Sequence, residues 1–293
     1  MEERAFSPQT MGLLRGYQRA EITEHHIYAR LARRQKSAEN REVLERIAAD
    51  ELRHAQYWRE HTGHEARPDW IRVAFYCLLA RVLGFTFAVK LMERGEDRAQ
   101  HEYSAVMREI PGAQTIASEE SAHEEALIAL LDEERLRYTG SIVLGLNDAL
   151  VELTGALAGL TLALQNTRLI AMTGAVTGIA AALSMATSEY LSTRTEKTER
   201  EPLKAAVYTG MTYLATVVLL ILPYLILRRY AICLVATLLV AVGIIALFNY
   251  YIAVAQDVPF RRRFLEMSAL SLIVAGVSFA IGLLLRTLFG VEV

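Results

Sequence analysis

The chain has 293 residues, of which 53% are apolar and 22% are charged, and its formal net charge is −2. Residues 1–140 contain 20 Lys and Arg, 24 Asp and Glu and all seven histidines, whereas residues 141–293 contain 11, 9 and none. A charged half followed by an apolar half excludes a single soluble domain. The near-neutral balance without a basic block argues against nucleic acid as a partner, and the distant Cys77 and Cys233 exclude a disulfide framework or a zinc ribbon.

The first half is predicted to form four long helices. Ser7–Pro8 has the pattern of an N-cap followed by proline at the first helical position, which begins the first helix. A break near Lys36–Ser37 precedes a second helix that ends at about Thr62. The turn GHEARPDW leads to a third helix that extends to about Glu109, and Pro111 begins the fourth.

Glutamates and histidines with a repeated spacing lie on these four predicted helices. Residues three apart share a helix face, so that a glutamate can bridge two metal ions while a histidine binds one of them. One Glu from each of two helices and Glu-x-x-His from each of the other two is the ligand set of di-iron bundles. Glu24 or His25 could replace the first ligand, and coincidental surface carboxylates are the alternative interpretation. The predicted metal ligands are Glu21, Glu51, His54, Glu93, Glu96, Glu120 and His123.

The apolar stretch at residues 71–92 is nearly long enough to span a membrane. A span there would bury Arg72, Arg81 and Lys90 in lipid, and two predicted metal ligands follow it directly. We therefore expect it to form the crossover and the buried third helix, with one face toward the membrane or a second subunit.

The second half contains five apolar stretches with about the twenty residues that a helix needs to cross a bilayer. The first residues, MEERAFSPQTMGLL, lack the apolar core of a signal peptide, so we expect the first half to stay in the cytoplasm. Nine Lys and Arg then flank the cytoplasmic ends of the spans and four flank the opposite ends, as the positive-inside rule requires. The predicted spans are approximately Ser141–Leu164, Leu169–Leu191, Ala205–Leu227, Ala231–Val254 and Met267–Leu288.

Ionisable residues occur inside the first two predicted spans, where each costs about 2.5–3.5 kcal/mol at the centre of a helix. Asp148 and Glu152 are four residues apart and share a face, and Met185 and Glu189 have the same spacing. At 1.5 Å per residue, Asp148 and Met185 both lie about 10 Å deep, and together they suit a borderline divalent metal. We expect these four residues to line a transport path. Glu189 alternatively only reaches the nearby water, and Met185 alternatively faces lipid or core.

Close helix approach is predicted at two pairs of small residues. Gly155/Gly159 and Gly174/Gly178 are GxxxG pairs on the first two spans, and we expect them to bring these spans together. The first pair is also expected to pack across a dimer.

Residues 7–137 resemble the rubrerythrin/erythrin branch of the ferritin-like family, through Glu21 seven residues before Tyr28 and the doubled Glu93/Glu96. The resemblance implies a di-iron centre, in which Mn or Zn could replace Fe, and a Glu96 that changes its coordination with redox state. The chain lacks the CxxC…CxxC module that donates electrons in rubrerythrin peroxidases.

Residues 140–293 resemble the vacuolar iron transporter family, through SIVLGLNDAL and LSMATSEYL. Asp148 and Met185 fall on that family's first-span Asp and second-span Met, which implies five-span subunits that form homodimers and exchange Fe(II) or Mn(II) for protons. Ala149 replaces a usual glycine, and only STRTEKTEREP stands where the family has a long Glu-rich insertion. The combination resembles bacterial membrane-bound ferritin A proteins, which are associated with iron export and peroxide tolerance.

The expected protein is all-α, with a ferritin-like four-helix bundle at residues 1–138 and a five-span helical membrane domain at 139–293. We expect an inner-membrane exporter of Fe(II), and of Mn(II) as a second cargo, that is coupled to protons and has its C-terminus outside. The cytoplasmic di-iron domain would capture, oxidise or sense iron. The alternative is a membrane-anchored di-iron oxidase or peroxidase whose spans are only an anchor.

Overall fold

The computed structural model of the chain describes residues 6–35, 37–92, 94, 110, 112–129, 138–196, 200–256 and 258–289, with the backbone alone at 124, 125, 128, 129 and 289. Regular secondary structure in these residues is helical throughout, which confirms the all-α prediction. The chain divides into two compact units, Met1–Glu133 and Glu134–Val293.

The first two helices of the first unit begin and end close to the predicted positions, and the third and fourth begin close to theirs. Ser7 caps the first helix by accepting a hydrogen bond from the backbone N–H of Thr10, and Pro8 is the first helical residue, as predicted. Ser37 caps the second helix, which ends at a left-handed Gly63. The helices are α1 (Pro8–Ala32), α2 (Ala38–Thr62), α3 (Trp70–Val82) and α4 (Ala113–Ala129), and residues 85–92 are helical as well.

The prediction that the third helix is continuous is wrong at one point. α3 ends at Val82, and Gly84 has a φ of 102°, a left-handed conformation that glycine adopts without a Cβ penalty. The helix is therefore interrupted before the chain becomes helical again at residue 85. Of the predicted continuation beyond Met92, only Arg94 is described, and it is helical; Glu93 and residues 95–109 lie outside the described residues.

Two apolar clusters in the first unit lie on either side of the predicted metal ligands. One contains Leu14 of α1, Trp58 of α2 and Ile116 of α4. The other contains residues from the opposite parts of the same helices, including Ile27, Leu31, Leu44, Ile47 and Leu127. The predicted ligands fall between these clusters along each helix. The fold thus places a polar layer between two apolar ones.

Five helices in the described part of the second unit are long and apolar enough to cross a membrane, which agrees with the predicted number of spans. The first contains a π-helical turn at Ala149–Leu153, directly after Asp148. Such turns are rare and occur often at functional sites. The helices are α5 (Thr139–Leu164), α6 (Thr167–Thr195), α7 (Pro202–Ile226), α8 (Tyr230–Ala255) and α9 (Phe260–Phe289).

The glycine pairs permit close helix approach, but for the first pair the partner differs from the prediction. A Cβ on Gly155 or Gly159 would meet Val274 or Ser278 of α9, at 2.9 Å and 3.0 Å respectively. The fifth spanning helix therefore covers the face that was expected to contact α6 and a second copy. Gly174 of α6 does lie against Leu157 of α5, whereas Gly178 lies against α7.

Candidate metal centre and membrane carboxylates

Three helices of the first unit bring five predicted metal ligands together. Ligand atoms of Glu21 from α1, Glu51 and His54 from α2, and Glu120 from α4 all lie within 4.8 Å of one another. The ring of His123, one turn after Glu120, has its Nδ1 3.2 Å from Glu51 Oε1 and 3.6 Å from Glu120 Oε2. The i,i+3 spacing explains this convergence, since each Glu-x-x-His pair projects from one face.

Several atoms at the centre of this group lack hydrogen-bond partners among the described residues. They are Glu51 Oε2, His54 Nδ1, Glu120 Oε1 and His123 Nδ1, and all four are buried. His54 Nδ1 lies only 2.9 Å from Glu120 Oε1, yet the two are not aligned as a hydrogen bond. Buried polar atoms are costly without partners, so carboxylate and imidazole atoms that point at one another fit a shared cation.

The imidazole nitrogens that face away from the centre of the group contact two further acids, which Arg53 also binds. His54 Nε2 lies 2.7 Å from Glu119 Oε2, and His123 Nε2 lies 3.1 Å from Asp50 Oδ2. Arg53 donates to both acids, at 2.6 Å to Asp50 and 2.7 Å to Glu119. The outer nitrogen of each ring therefore binds an acid from the other Glu-x-x-His helix, which leaves Nδ1 facing inward. Such outer partners orient histidine ligands in metal sites.

Sequence analysis missed these outer acids, although a signal was available. An acid stands directly before each Glu-x-x-His motif, as Asp50 before Glu51 and as Glu119 before Glu120. Adjacent residues project about 100° apart on a helix, so an acid at that position cannot join its own motif's face. It can reach only a neighbouring helix, and the packing of α2 against α4 decides which group it meets.

The ionisation of the group shows how strongly it attracts positive charge. Burial would lower the pKa of His123, but Glu120 and Glu51 outweigh it and raise that pKa to about 10. Burial would likewise raise the pKa of Glu120, but His123 and His54 lower it to about 2. Burial, aided by the charges of Glu51 and Glu120, raises the pKa of Glu21 well above its ordinary value. The carboxylates thus favour cationic partners, whether protonated imidazoles or metal ions.

Of the three candidates for the first metal ligand, Glu21, Glu24 and His25, only Glu21 belongs to the convergent group of described residues. Its Oε1 accepts a hydrogen bond from Trp58 Nε1 at 3.2 Å, which fixes the carboxylate in the group. His25 instead places Nδ1 2.6 Å from the backbone carbonyl of Ala48. Glu24 is buried but is not part of the convergent group. The predicted ligands Glu93 and Glu96 lie outside the described residues.

The second unit contains a separate carboxylate pair on α5. The side chains of Asp148 and Glu152 contact each other, as their predicted shared face requires. Tyr213 of α7, which is fully buried, donates its hydroxyl to Glu152 Oε2 at 3.0 Å. Ser271 of α9 donates to the carbonyl of Leu150 inside the π turn, at 2.9 Å. α7 and α9 therefore hold both the pair and the irregular backbone beside it.

Tyr213 and the π turn were not predicted from sequence. A tyrosine in an apolar helix has the pattern of an ordinary core residue, and no residue type marks a π turn. Glu152 is exposed in the single chain and Asp148 is half-buried. The pair thus opens to one side of the unit.

The two α6 residues that were expected to line the path have different surroundings. Met185 is half-buried and packs against the apolar core of the second unit. Glu189 is 8% exposed, accepts a hydrogen bond from Ser141 Oγ at 2.5 Å and lies 3.9 Å from Arg200. Glu189 thus points into the unit, where it contacts Ser141 and Arg200.

Comparison with known proteins gives one family match. No curated protein matches the chain. Residues 139–201 match the model of the VIT family, and this stretch contains Asp148, Glu152, Met185 and Glu189.

Proposed function

We propose that the protein exports Fe(II), and Mn(II) as a second cargo, in exchange for protons. The family match at residues 139–201 and the five apolar helices indicate a membrane transporter of iron or a related metal. The observation that supports exchange of the metal for protons in particular is the contact between Asp148 and Glu152 within that stretch. Carboxylates can bind a divalent cation when ionised and release it when protonated, which is what exchange requires.

The exposure of Glu152 supports a dimer. An ionisable side chain at the centre of a span costs about 2.5–3.5 kcal/mol, and such residues face a bundle interior or a water-filled cavity. Glu152 is exposed in one copy of the chain, beside the half-buried Asp148. A second copy facing this side of α5 would remove Glu152 from lipid and bring two carboxylate pairs together. This dimer does not use Gly155/Gly159, because α9 already covers them.

We further propose that the first unit holds a ferritin-like di-iron centre on the cytoplasmic side of the inner membrane. Glu21, Glu51, His54, Glu120 and His123 would bind the metal. Four of their buried, inward-facing atoms make no hydrogen bond with the described residues, which supports this role. Carboxylate and imidazole donors suit Fe and Mn, and also Zn. When bound, such a centre supplies oxidation of Fe(II) by oxygen or peroxide. Asp50, Glu119 and Arg53 orient the two histidines, and the apolar clusters on either side limit the access of water to the ligands.

The second candidate function is a membrane-anchored di-iron oxidase or peroxidase. The observation that favours it is the buried convergent group itself, which lies within the first unit and needs no contribution from a span. A membrane anchor does not require the carboxylate pair on α5, however. The free-energy cost of placing ionisable residues inside a span would then have no functional reason. Transport therefore explains both sites, whereas the anchored enzyme explains one.

A flux assay with the purified protein in proteoliposomes tests the proposal. Under an imposed pH gradient, Asp148→Asn should reduce Fe(II) flux to background, because the substitution keeps the shape and removes the ionisation. Met185→Leu should weaken flux less, since a thioether adds selectivity rather than charge. The matched control Glu201→Gln removes an exposed carboxylate at the start of α7 and should leave flux unchanged.

Two results would decide against the proposed path. Flux at the wild-type rate in Asp148→Asn would show that this carboxylate does not carry the metal. Absence of metal flux in the wild-type protein, together with Fe(II) oxidation that is lost in Glu51→Ala, would favour the anchored enzyme.

A further inference from the structure

One face of α3 exposes large apolar side chains to solvent. It consists of Trp70, Ile71, Phe75, Leu78 and Val82, which are 51%, 83%, 50%, 59% and 58% exposed, and we call it the α3 face. At about 100° per residue, the last four residues lie in one narrow stripe along the helix. A contiguous exposed apolar patch on an otherwise charged unit marks an interaction site.

Basic residues border the α3 face on both sides. Arg72 and Arg81 are exposed and project about 100° and 80° to either side of Ile71, so the stripe lies between them. Arg30 of α1 lies over the ring of Trp70, with its guanidinium carbon 5.2 Å from the ring centroid. Arg34 reaches the carbonyl of Cys77 at 3.2 Å. The apolar stripe therefore has a cationic border.

Acidic residues are absent from this part of the sequence. Residues 70–92 contain no Asp or Glu, although the first 140 residues contain 24. Asp69, directly before α3, caps the helix and is paired with Arg19 at 3.0 Å. No acid on α3 itself can neutralise Arg72 and Arg81.

We propose that the α3 face lies in the surface of the lipid bilayer, with its arginines on anionic headgroups. A basic amphipathic helix binds a membrane by burying its apolar face at the boundary between headgroups and acyl chains, and by attraction to anionic lipid. Trp70, at the first turn of α3, suits that boundary because tryptophan is enriched there. Because the same chain contains helices that are long and apolar enough to cross a membrane, α3 is covalently linked to a membrane-spanning segment.

The charges favour lipid over a second copy of the chain. Two copies joined through their α3 faces would bring Arg72 and Arg81 toward the same arginines of the partner, without an acid on α3 to compensate. Like charges held close together oppose such an interface. Anionic phospholipid supplies the missing negative charge. This inference does not depend on metal transport or on the metal centre.

The two tryptophans of the chain make a direct test possible in the full-length protein. Trp70 is 51% exposed on the α3 face, whereas Trp58 is fully buried, and the spanning helices contain none. The protein is reconstituted into phosphatidylethanolamine–phosphatidylglycerol vesicles whose acyl chains are either brominated or plain. The Trp70 signal is the emission of the wild type minus that of Trp70→Phe.

We expect brominated chains to reduce the Trp70 signal about twofold, because interfacial burial brings the ring next to the acyl chains. Ile71→Glu with Leu78→Glu should abolish this quenching, whereas the matched control Gln56→Glu, at an exposed position on α2, should retain it. Replacing phosphatidylglycerol by phosphatidylcholine should weaken the quenching. An equal Trp70 signal in brominated and plain vesicles would overturn the proposal. A second experiment measures how well aqueous acrylamide quenches Trp70 in detergent. If this quenching decreases as the protein concentration rises, a second copy covers the α3 face and the proposal is overturned.

Discussion

Metal binding should raise the thermal stability of the first unit, and the loss of Glu51 should remove this effect. Glu51 is 1% exposed and its Oε2 accepts no hydrogen bond from the described residues, so a bound cation would satisfy it in the folded state alone. A ligand at 100 times its dissociation constant stabilises the folded state by about 2.7 kcal/mol. For a unit of the size of Met1–Glu133, 1 kcal/mol shifts the midpoint by about 3 °C. The expected increase is therefore about 8 °C for one ion.

The intrinsic tryptophan emission of the full-length protein measures this shift, because Trp58 and Trp70 both lie in the first unit. Melting curves are recorded with Mn(II) and with a chelator. Glu51→Ala changes the starting stability, so the compared quantity is the difference between the two curves. That difference should vanish in Glu51→Ala and persist in Glu45→Gln, which changes an exposed residue two turns earlier on α2. A shift of equal size in Glu51→Ala and wild type would refute the assignment of the buried group as a metal site.

Three further predictions follow from the contacts. Glu119→Gln should weaken metal binding to the first unit by about 10-fold, because the outer partners of histidine ligands contribute about 10- to 100-fold to metal affinity and Glu119 is partly exposed. Titration calorimetry with Mn(II) measures this affinity, and an unchanged dissociation constant would contradict the prediction. Tyr213→Phe should lower Fe(II) flux by about 10-fold or more, because a hydrogen bond to a charged group contributes about 1.5 kcal/mol or more. Equal flux in the variant and the wild type would mean that the hydroxyl is dispensable. In the metal-free protein, the pKa of His123 is raised from 6.5 to about 10, so its ion pairs stabilise the first unit fully below pH 6.5 and are lost as the pH rises toward 10. The tryptophan melting midpoint with chelator should fall over that range, and a constant midpoint would argue against these pairs.

The sequence supports predictions that depend on one helix at a time. The spacing of Glu51 and His54 places them on one face of any helix, and apolar length alone is enough to find five spans. The break at Gly84 is a different case, because glycine is tolerated inside helices as well as at their ends. Only the packing of α3 and of residues 85–92 decides that this glycine takes a left-handed conformation.

Contacts between helices account for what sequence analysis missed. Asp50 and Glu119 each bind a histidine of the other helix, and which helices are neighbours does not follow from spacing. The same reason explains the error at Gly155 and Gly159. A pair of small residues predicts a close approach but does not identify the helix that approaches, and in this protein it is α9.

The two sites differ in ways that suit retention in one and passage in the other. The first unit gathers three carboxylates and two imidazoles in a buried layer, with Asp50, Glu119 and Arg53 fixing the rings from behind. Many fixed donors hold a cation tightly, because little reorganisation is needed on binding. The α5 pair has one carboxylate directly before a π turn and one within it, and it opens to one side of its unit. Fewer donors on irregular backbone hold a cation more weakly, and a transported ion must be released. These donor sets therefore support the proposal that the first unit captures metal and that the second moves it across the membrane.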